Sequence, residues 1–238
     1  MKTYNNEKAI ISLTTWKARV GNTHKTLENL LSLTQGAFHI VLVLSEEEFP
    51  NKERDLPTTI TSLANENLIE ILWTEGNYKS LKKVLFTMEK YPNVPIISAD
   101  DDLIYFINYA EALYQYWQFN KKSAVSFNIN PGHTCGACTL YGPGCFGTDY
   151  MKRMKENKNV DVYAIADDAF YEYLYAVNMT NLVIIPMPRG IFCVHDEIEK
   201  LHDLYSNQMS KIRDIQRADI NDDALFVRFC LHENEELK

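Results

Sequence analysis

Short apolar segments alternate with segments of helical periodicity through the first hundred residues. This alternation constrains the fold more than any other feature of the sequence. The apolar segments are hydrophobic almost throughout, as strands buried on both faces of a sheet are. They are residues 9–14, 39–45, 69–74 and 94–99. Residues 23–34, 58–65 and 80–91, which lie between them, have helical character. The alternation predicts an α/β fold with a mostly parallel central sheet flanked by helices.

The second half of the chain has a different texture. An aromatic-rich segment predicts a helix, and a Gly/Cys-rich segment predicts a long loop between two strands. The predicted elements are a helix at about 106–120, a strand at 124–129, the loop 130–147, a helix at 164–178 and a strand at 181–187. The last 40 residues are rich in charge and predict one or two helices. With no repeat and no linker, we expect residues 1–238 to form a single domain.

Charge and hydropathy exclude several classes of function. The formal net charge is -8, so we expect no nucleic-acid partner and no strong attraction to anionic membranes. The apolar runs are far shorter than the roughly 20 residues that cross a bilayer, and the N-terminal residues lack the layout of a signal peptide. Five cysteines form no even framework of disulfides. These observations predict a cytoplasmic protein with at most peripheral membrane association.

Three consecutive aspartates, Asp100, Asp101 and Asp102, follow the fourth predicted strand directly. Like charges so close together are costly unless water or a cation accompanies them. Capping of a helix would explain one or two of these acids. Ligands of open α/β sheets bind beyond the carboxyl ends of the strands, and Mg²⁺ and Mn²⁺ prefer oxygen ligands. The motif therefore predicts a divalent-metal site.

At this point the sequence resembles the GT-A fold glycosyltransferases, in particular a group that builds bacterial surface polysaccharides. The matching stretches occur in the same order over about residues 8–180 and include the Asp-x-Asp motif. They are ISLTTWKARVGNTHKTLENLLSLT, VLVLSEEEFPNKERDLP, ILWTEGNYKSLKKV, ADDD, GACTLYGPG and ADDAFYEYLYA. The resemblance implies residues 1–102 as the half that binds the nucleotide sugar. Residues 103–238 would form the acceptor half.

The resemblance also assigns roles to residues of the donor half. Thr14, Thr15 and Arg19 would hold the nucleotide base and ribose, and Lys79 and Lys82 would reach its phosphates. Asp100 and Asp101 would contact the donor, and Asp100 and Asp102 would ligate Mn²⁺ or Mg²⁺. A purely structural interpretation stays open for the basic residues: Arg19 pairing with a nearby acid, and the lysines belonging to a solvated start of a helix.

In the acceptor half, the late acidic pair is the candidate for the catalytic base. In inverting enzymes of this fold, an acid here removes the proton of the acceptor hydroxyl. We expect Asp168 in this role, with Asp167 as the second choice, although helix capping would also explain both. His195 is a candidate third metal ligand, or a structural histidine. The Cys135 and Cys138 pair replaces glycines of the related loop and is too small a set for a zinc site by itself.

The resemblance implies a metal-dependent, inverting glycosyltransferase. Its donor would be a nucleoside-diphosphate sugar, with UDP expected from the habit of the family, and its acceptor a glycan or a lipid-linked glycan at the inner face of the membrane. Two alternatives stay open. A nucleotidyltransferase also places acids at strand ends, but TTWKARVGN is a poor version of its glycine-rich, basic phosphate loop. The other alternative is a non-catalytic domain that binds nucleotide sugars.

Overall fold

A computed structural model describes five stretches of the chain and their helices and strands. The described residues are 8–34, 36–127, 136–187, 193–194 and 209–222. The strands are β1 (Ile10–Thr14), β2 (His39–Ser45), β3 (Glu70–Thr74), β4 (Ile96–Ser98), β5 (Leu103–Ile104), β6 (Ser123–Phe127), β7 (Thr139–Tyr141), β8 (Asn181–Ile185) and β9 (Cys193–Val194). The helices are α1 (Thr23–Thr34), α2 (Thr58–Asn65), α3 (Lys82–Lys90), α4 (Tyr109–Phe119), α5 (Tyr150–Glu156), α6 (Val160–Tyr163), α7 (Asp167–Val177) and α8 (Met209–Asp222). Two 3₁₀ turns, Lys52–Asp55 and Lys79–Leu81, precede α2 and α3.

Seven of the described strands form one mixed sheet in the order β3-β2-β1-β4-β7-β6-β8. β1 pairs in parallel with β2 and β4, β2 with β3, and β6 with β8. β7 is antiparallel to both of its neighbours, β4 and β6. The sheet is therefore mostly parallel, as predicted, and it runs without interruption from residues of the first half to residues of the second.

Alternate residues of the central strands enter two separate apolar cores, one on each face of the sheet. Ile11 of β1 and Leu42 of β2 belong to the core that also contains Leu27 and Leu30 of α1. Ile10 and Val43 belong to the opposite core, with residues of α3 and α7. Because both faces are covered, these strands need apolar residues at every position. This explains the nearly continuous hydrophobic runs in the sequence.

The predicted elements of the first half agree closely with the structure. Helices α1 and α2 and strand β2 have the predicted bounds, and β1, β3 and β4 lie within the predicted strands. The helix predicted at 80–91 is α3, with a 3₁₀ turn before it. Among the described residues, no helix is both long enough and apolar enough to cross a bilayer.

The predicted loop 130–147 contains a strand that the sequence did not reveal. β7, only three residues long, lies between β4 and β6 and joins the two halves of the sheet. Its residues are fully buried, and the Ser98 hydroxyl of β4 donates to the Thr139 carbonyl and accepts from the Thr139 N–H. A strand this short has too few residues to show a period, so its place in the sheet depends on its neighbours.

Candidate functional site

A cleft lies where the carboxyl ends of β1, β2, β3 and β4 meet, and its cavity measures about 220 Å³. Parallel strands bring their carboxyl ends to one edge, so side chains distant in sequence converge there. The lining residues come from the loops after these strands and from the start of α3. They are Thr14, Thr15, Trp16, Arg19, Glu48, Asn77, Lys79, Ser80, Lys82, Lys83, Asp100 and Asp101. Seven of them were predicted as site residues: Thr14, Thr15, Arg19, Lys79, Lys82, Asp100 and Asp101.

Asp101 is the buried member of the acidic motif. Its side chain is 1% exposed, and its two carboxylate oxygens accept hydrogen bonds from the Thr15 hydroxyl and the Arg19 guanidinium. Burial raises the pKa of Asp101 to about 6, against the opposing effects of Arg19 and Thr15. Its backbone carbonyl also accepts a hydrogen bond of 3.0 Å from the Thr26 hydroxyl of α1. Asp101 thus anchors the motif to the loop after β1 and to α1.

Arg19 joins the loop after β1 to two acids of the motif. One terminal nitrogen donates to Asp101, and the other lies 2.8 Å from Oδ2 of Asp102. Burial opposes the charge of Arg19, but the acids of the motif outweigh it and raise the pKa of the guanidinium. Arg19 thus lines the cleft and forms an ion pair with Asp102. Arg19 therefore does pair with nearby acids, as the structural interpretation expected, and these acids are Asp101 and Asp102 of the motif.

Lys83 is a site residue that the sequence analysis missed. Its ammonium lies 2.7 Å from Oδ1 of Asp100 and 3.0 Å from Oδ2 of Asp167, and its side chain is only 2% exposed. Burial opposes the charge, but the two carboxylates together raise the pKa of Lys83 above its ordinary value. One buried cation therefore connects the end of β4 to the first turn of α7.

A weak sequence signal for Lys83 exists. β1 carries one serine among its apolar residues, and α3 carries Thr87 one turn after Lys83. In the structure, Ser12 bonds with the Thr87 hydroxyl at 2.8 Å and donates to the backbone carbonyl of Lys83. Polar residues at matching positions of a buried strand and a helix indicate a polar seam through the core. This pattern indicates that the face of α3 that carries Lys83 packs against β1.

The two predicted phosphate-binding lysines have different environments. Lys82 is 1% exposed, and its ammonium lies 3.4 Å from both Glu48 and Asn77. Burial lowers the pKa of Lys82, although Glu48 opposes this effect. Lys79 lines the same cleft from a left-handed backbone conformation, with a φ of 44°. Both lysines lie at the cleft, where an anionic ligand would meet them.

Neutral hydrogen bonds connect the acidic motif to the second half of the chain and the end of β1 to β2. The Tyr105 hydroxyl accepts a hydrogen bond of 2.7 Å from the backbone N–H of Asp100 and donates one of 3.0 Å to the Ala137 carbonyl. Thr14, at the end of β1, donates to the Val43 carbonyl at 2.7 Å. These hydrogen bonds hold the turn that carries the acids, and the end of β1, at the edge of the sheet.

The late acidic pair opens α7, as predicted, but its two members differ in their contacts. Asp167 points toward Lys83 and is nearly buried, and burial raises its pKa against the opposing charge of Lys83. Oδ1 of Asp168 accepts a hydrogen bond of 3.0 Å from the N–H of Ala169. Gly136 packs so closely that an added Cβ would lie 3.2 Å from Oδ1 of Asp167. A larger residue at 136 would therefore require the Asp167 carboxylate to shift slightly.

Two predicted features lie outside the described residues. They are the candidate metal ligand His195 and Cys135 of the Cys-x-x-Cys pair. Cys138, its other member, is buried beside the sheet. Within the part of the chain that the structure describes, no three His, Cys, Asp or Glu side chains converge as a complete metal site would require.

The sequence matches no protein-family model and no curated protein at a significant level. Its fold, however, is similar to that of several solved structures. One is a mannosyltransferase from Pyrobaculum calidifontis in complex with GDP-Man and Mn²⁺, with a TM-score of 0.54 and 11% identity over 91% of this chain and 73% of that one. Another is TarS 1-349 from S. aureus in complex with UDP, with a TM-score of 0.58 and 9% identity over 92% of this chain. The present chain spans 66% of that TarS chain.

A cytidylyltransferase from Leptospira borgpetersenii serovar Hardjo-bovis (strain JB197) is also similar in fold. Its TM-score is 0.53 at 10% identity, and the alignment covers 97% of this chain and 98% of that one. Likeness at such low identity concerns the fold alone. The chain therefore has the α/β architecture of GT-A type glycosyltransferases, with one mostly parallel sheet flanked by helices and a charged cleft at its carboxyl edge.

Proposed function

We propose that this protein is a glycosyltransferase whose donor is a nucleoside-diphosphate sugar. The observation that carries the proposal is the cleft itself, where Asp100 and Asp101 face the basic residues Arg19, Lys79 and Lys82 at the carboxyl edge of this sheet. Ligands of open α/β sheets bind at this edge. The mannosyltransferase and TarS structures of similar fold hold GDP-Man and UDP, respectively. Residues 1–102 would form the donor half and the remaining residues the acceptor half.

The charge of the acidic cluster fits a divalent cation. Among the described residues, four carboxylates, those of Asp100, Asp101, Asp102 and Asp167, pair with the two cations Arg19 and Lys83. Taken by themselves, these six side chains carry two more negative charges than positive ones, and the acids offer oxygen ligands, which suit Mg²⁺ and Mn²⁺.

Asp100 and Asp102 would hold the ion, and the phosphates of the donor would complete its coordination, since these metals commonly bind through one or two carboxylates. A bound ion would stabilise the negative charge of the departing diphosphate. His195 remains a proposed additional ligand. Support for Mn²⁺ also comes from the mannosyltransferase of similar fold, whose structure contains it.

Asp168 is the proposed general base. Asp167 is 8% exposed and pairs with the ammonium of Lys83. Asp168 follows it in the first turn of α7 and is only partly buried. In an inverting reaction, its carboxylate would take the proton of the acceptor hydroxyl as that oxygen attacks the anomeric carbon. We further propose UDP as the nucleotide and a glycan or lipid-linked glycan of a bacterial surface polysaccharide as the acceptor.

Thermal-shift titration with UDP, GDP and CDP, with and without Mn²⁺, tests donor binding. We expect one nucleotide to raise Tm in the presence of the metal and Asp102→Ala to abolish the metal-dependent part of the rise. Asp55→Ala, which changes a partly exposed aspartate of the 3₁₀ turn before α2, is the matched control and should respond like the wild type. A full metal-dependent response from Asp102→Ala would contradict the proposed metal ligand.

Asp168→Asn separates binding from chemistry. The variant should keep the nucleotide response and lower the transfer rate by about 10² to 10⁴-fold, the usual contribution of a general base. Asp167→Asn is the comparison variant. If Asp168→Asn transfers sugar at the wild-type rate while Asp167→Asn does not, the base is Asp167.

A nucleotidyltransferase is the second candidate, and the cytidylyltransferase likeness over nearly the whole of both chains favours it. The two reactions release different products: a nucleoside diphosphate from glycosyl transfer, and pyrophosphate from nucleotidyl transfer. Incubation with nucleoside triphosphates and sugar phosphates, followed by a pyrophosphate assay, distinguishes them. Metal-dependent nucleotide binding without either product would favour a non-catalytic binding domain.

A further inference from the structure

The guanidinium of Arg19 spans two neighbouring acids of the motif. Its two terminal nitrogens bond to Asp101 and Asp102, and its side chain is 14% exposed. Charge-assisted hydrogen bonds of this kind are strong, and a guanidinium that bridges two carboxylates has a fixed orientation. The Nε of Arg19 is buried and has no hydrogen-bond partner among the described residues. Within the described part of the chain, the side-chain hydrogen bonds of Arg19 therefore all go to acids of the motif, at the wall of the cleft.

Arg19 and a divalent ion would claim the same carboxylate. Asp102 is the proposed principal metal ligand, and its Oδ2 already accepts a hydrogen bond from Arg19 at 2.8 Å. A doubly charged ion at Asp102 would lie close to the positive guanidinium, and like charges this close repel each other. Arg19 and the divalent ion would therefore compete for the Asp102 carboxylate.

A donor diphosphate would resolve this conflict. Arg19 lines the same cleft as Lys79 and Lys82, so an anion bound there lies within the field of all three cations. Guanidinium groups bind phosphate as readily as carboxylate, and through the same fork of N–H donors. A bound diphosphate would thus give Arg19 a second partner of the right charge.

We propose that Arg19 is a positioning residue that occupies the acidic motif until the donor arrives, and then yields Asp102 to the metal by turning toward the diphosphate. The proposal rests on the proposed function, because it assumes that a nucleotide binds in this cleft. It predicts that the free protein binds Mn²⁺ weakly and that a nucleoside diphosphate strengthens this binding. The binding of metal and donor is then coupled through one side chain.

Titration of the full chain with Mn²⁺, followed by electron paramagnetic resonance of the free ion, tests the proposal without any activity measurement. In the absence of nucleotide, Arg19→Gln should bind Mn²⁺ about tenfold more tightly than the wild type, since one nearby positive charge is removed. Addition of UDP or GDP should strengthen Mn²⁺ binding by the wild type and have a smaller effect on the variant. Equal Mn²⁺ affinity in the two proteins, including no detectable binding by either, would overturn the proposal.

Arg153→Gln is the matched control. Arg153 of α5 also pairs with an aspartate, Asp149, at 2.8 Å, but the pair lies outside the cleft, and its side chains are 25% and 51% exposed. Its loss should leave Mn²⁺ affinity unchanged, which separates a local effect at the motif from a general effect of net charge. If Arg19→Gln does not fold, Arg19→Lys decides the question, because lysine keeps the charge but cannot span both acids. We expect Arg19→Lys to bind Mn²⁺ more tightly than the wild type, and an unchanged affinity would overturn the proposal.

The test also separates this proposal from the proposed function. The comparison of Mn²⁺ affinities without nucleotide concerns only Arg19 and the acids, so its outcome does not depend on which donor the protein uses. Failure of every nucleotide to bind the wild type in the presence of Mn²⁺ would instead count against the glycosyltransferase, whatever the affinities for the metal alone.

Discussion

The loop after β1 and the first turn of α3 each supply one cation to the same acidic motif, but the two cations have different surroundings. Arg19 pairs with Asp101 and Asp102, which are neighbours in sequence, and forms part of the cleft wall. Lys83 is almost fully buried and pairs with Asp100 and with Asp167 of α7. The difference teaches that both cations line the cleft, but only Lys83 connects the two halves of the chain.

Lys83→Met tests this connection and should have the largest effect. The variant leaves Asp100 and Asp167 close together without their cation, and breaking a buried pair in this way typically costs about 3 to 5 kcal/mol. Urea unfolding monitored by circular dichroism measures the loss. Lys90→Met is the matched control on the same helix, because Lys90 pairs with Glu70 but is 45% exposed. That exposed pair should contribute less than about 1 kcal/mol.

A second variant sharpens the interpretation of Lys83. If the loss arises from an unpaired carboxylate, Lys83→Met with Asp167→Asn should be more stable than Lys83→Met alone. A loss below about 1 kcal/mol in the single variant would mean that Lys83 does not stabilise this connection, and that its charge matters as little as that of a surface lysine.

The buried acid beside Arg19 should show itself in the pH dependence of stability. The folded protein holds the proton of Asp101 more tightly than the unfolded chain does, because burial raises its pKa to about 6. Rising pH therefore favours unfolding until both states are deprotonated. Relative to Asp101→Asn, the wild type should lose about 2 to 3 kcal/mol between pH 4 and pH 6, at 1.36 kcal/mol for each unit of pKa shift. Unfolding free energies at intervals across this range measure the difference.

Asp55 provides a control for which the expected change of stability with pH has the opposite sign. Hydrogen bonds from the side chain and backbone of Asn51 lower the pKa of Asp55. The wild type should therefore gain stability relative to Asp55→Asn as pH rises through the acidic range. If the difference between wild type and Asp101→Asn does not change with pH, Asp101 is not the buried, proton-retaining acid described above.

The smallest expected changes in stability concern two neutral groups, the buried hydroxyls of Tyr109 and Tyr141. The hydroxyl of Tyr109 donates a buried hydrogen bond of 2.8 Å to the Ser98 carbonyl, just before the acidic motif. The buried hydroxyl of Tyr141, on β7, has no partner among the described residues. Tyr109→Phe should cost about 1 kcal/mol, and Tyr141→Phe should be neutral or slightly stabilising. Chemical denaturation of both variants compares them, and a greater loss for Tyr141→Phe would contradict this difference.

Sequence patterns predicted the elements of the first half because each pattern is local. The apolar runs that became β1 and β2 and the leucine spacing of α1 depend only on neighbours in the chain. The same patterns placed Asp100, Asp101 and Asp102 after a central strand, and the parallel order of the sheet carries them to its carboxyl edge. Arg19, Lys79 and Lys82, which line the cleft, came instead from the resemblance to the GT-A glycosyltransferases and not from any local pattern.

The sequence by itself thus determined the α/β class, the order of the first strands and helices, and the edge at which the acids gather. Only the tertiary structure decided that β7 enters the middle of the sheet, that Lys83 bridges Asp100 and Asp167, and that Arg19 turns onto Asp101 and Asp102. The physical reason is distance along the chain. The pairing of β4 with β7 depends on how the helices and strands pack against one another, and so do the ion pairs of the cleft, which join residues up to 84 positions apart. No local period of the sequence indicates that packing.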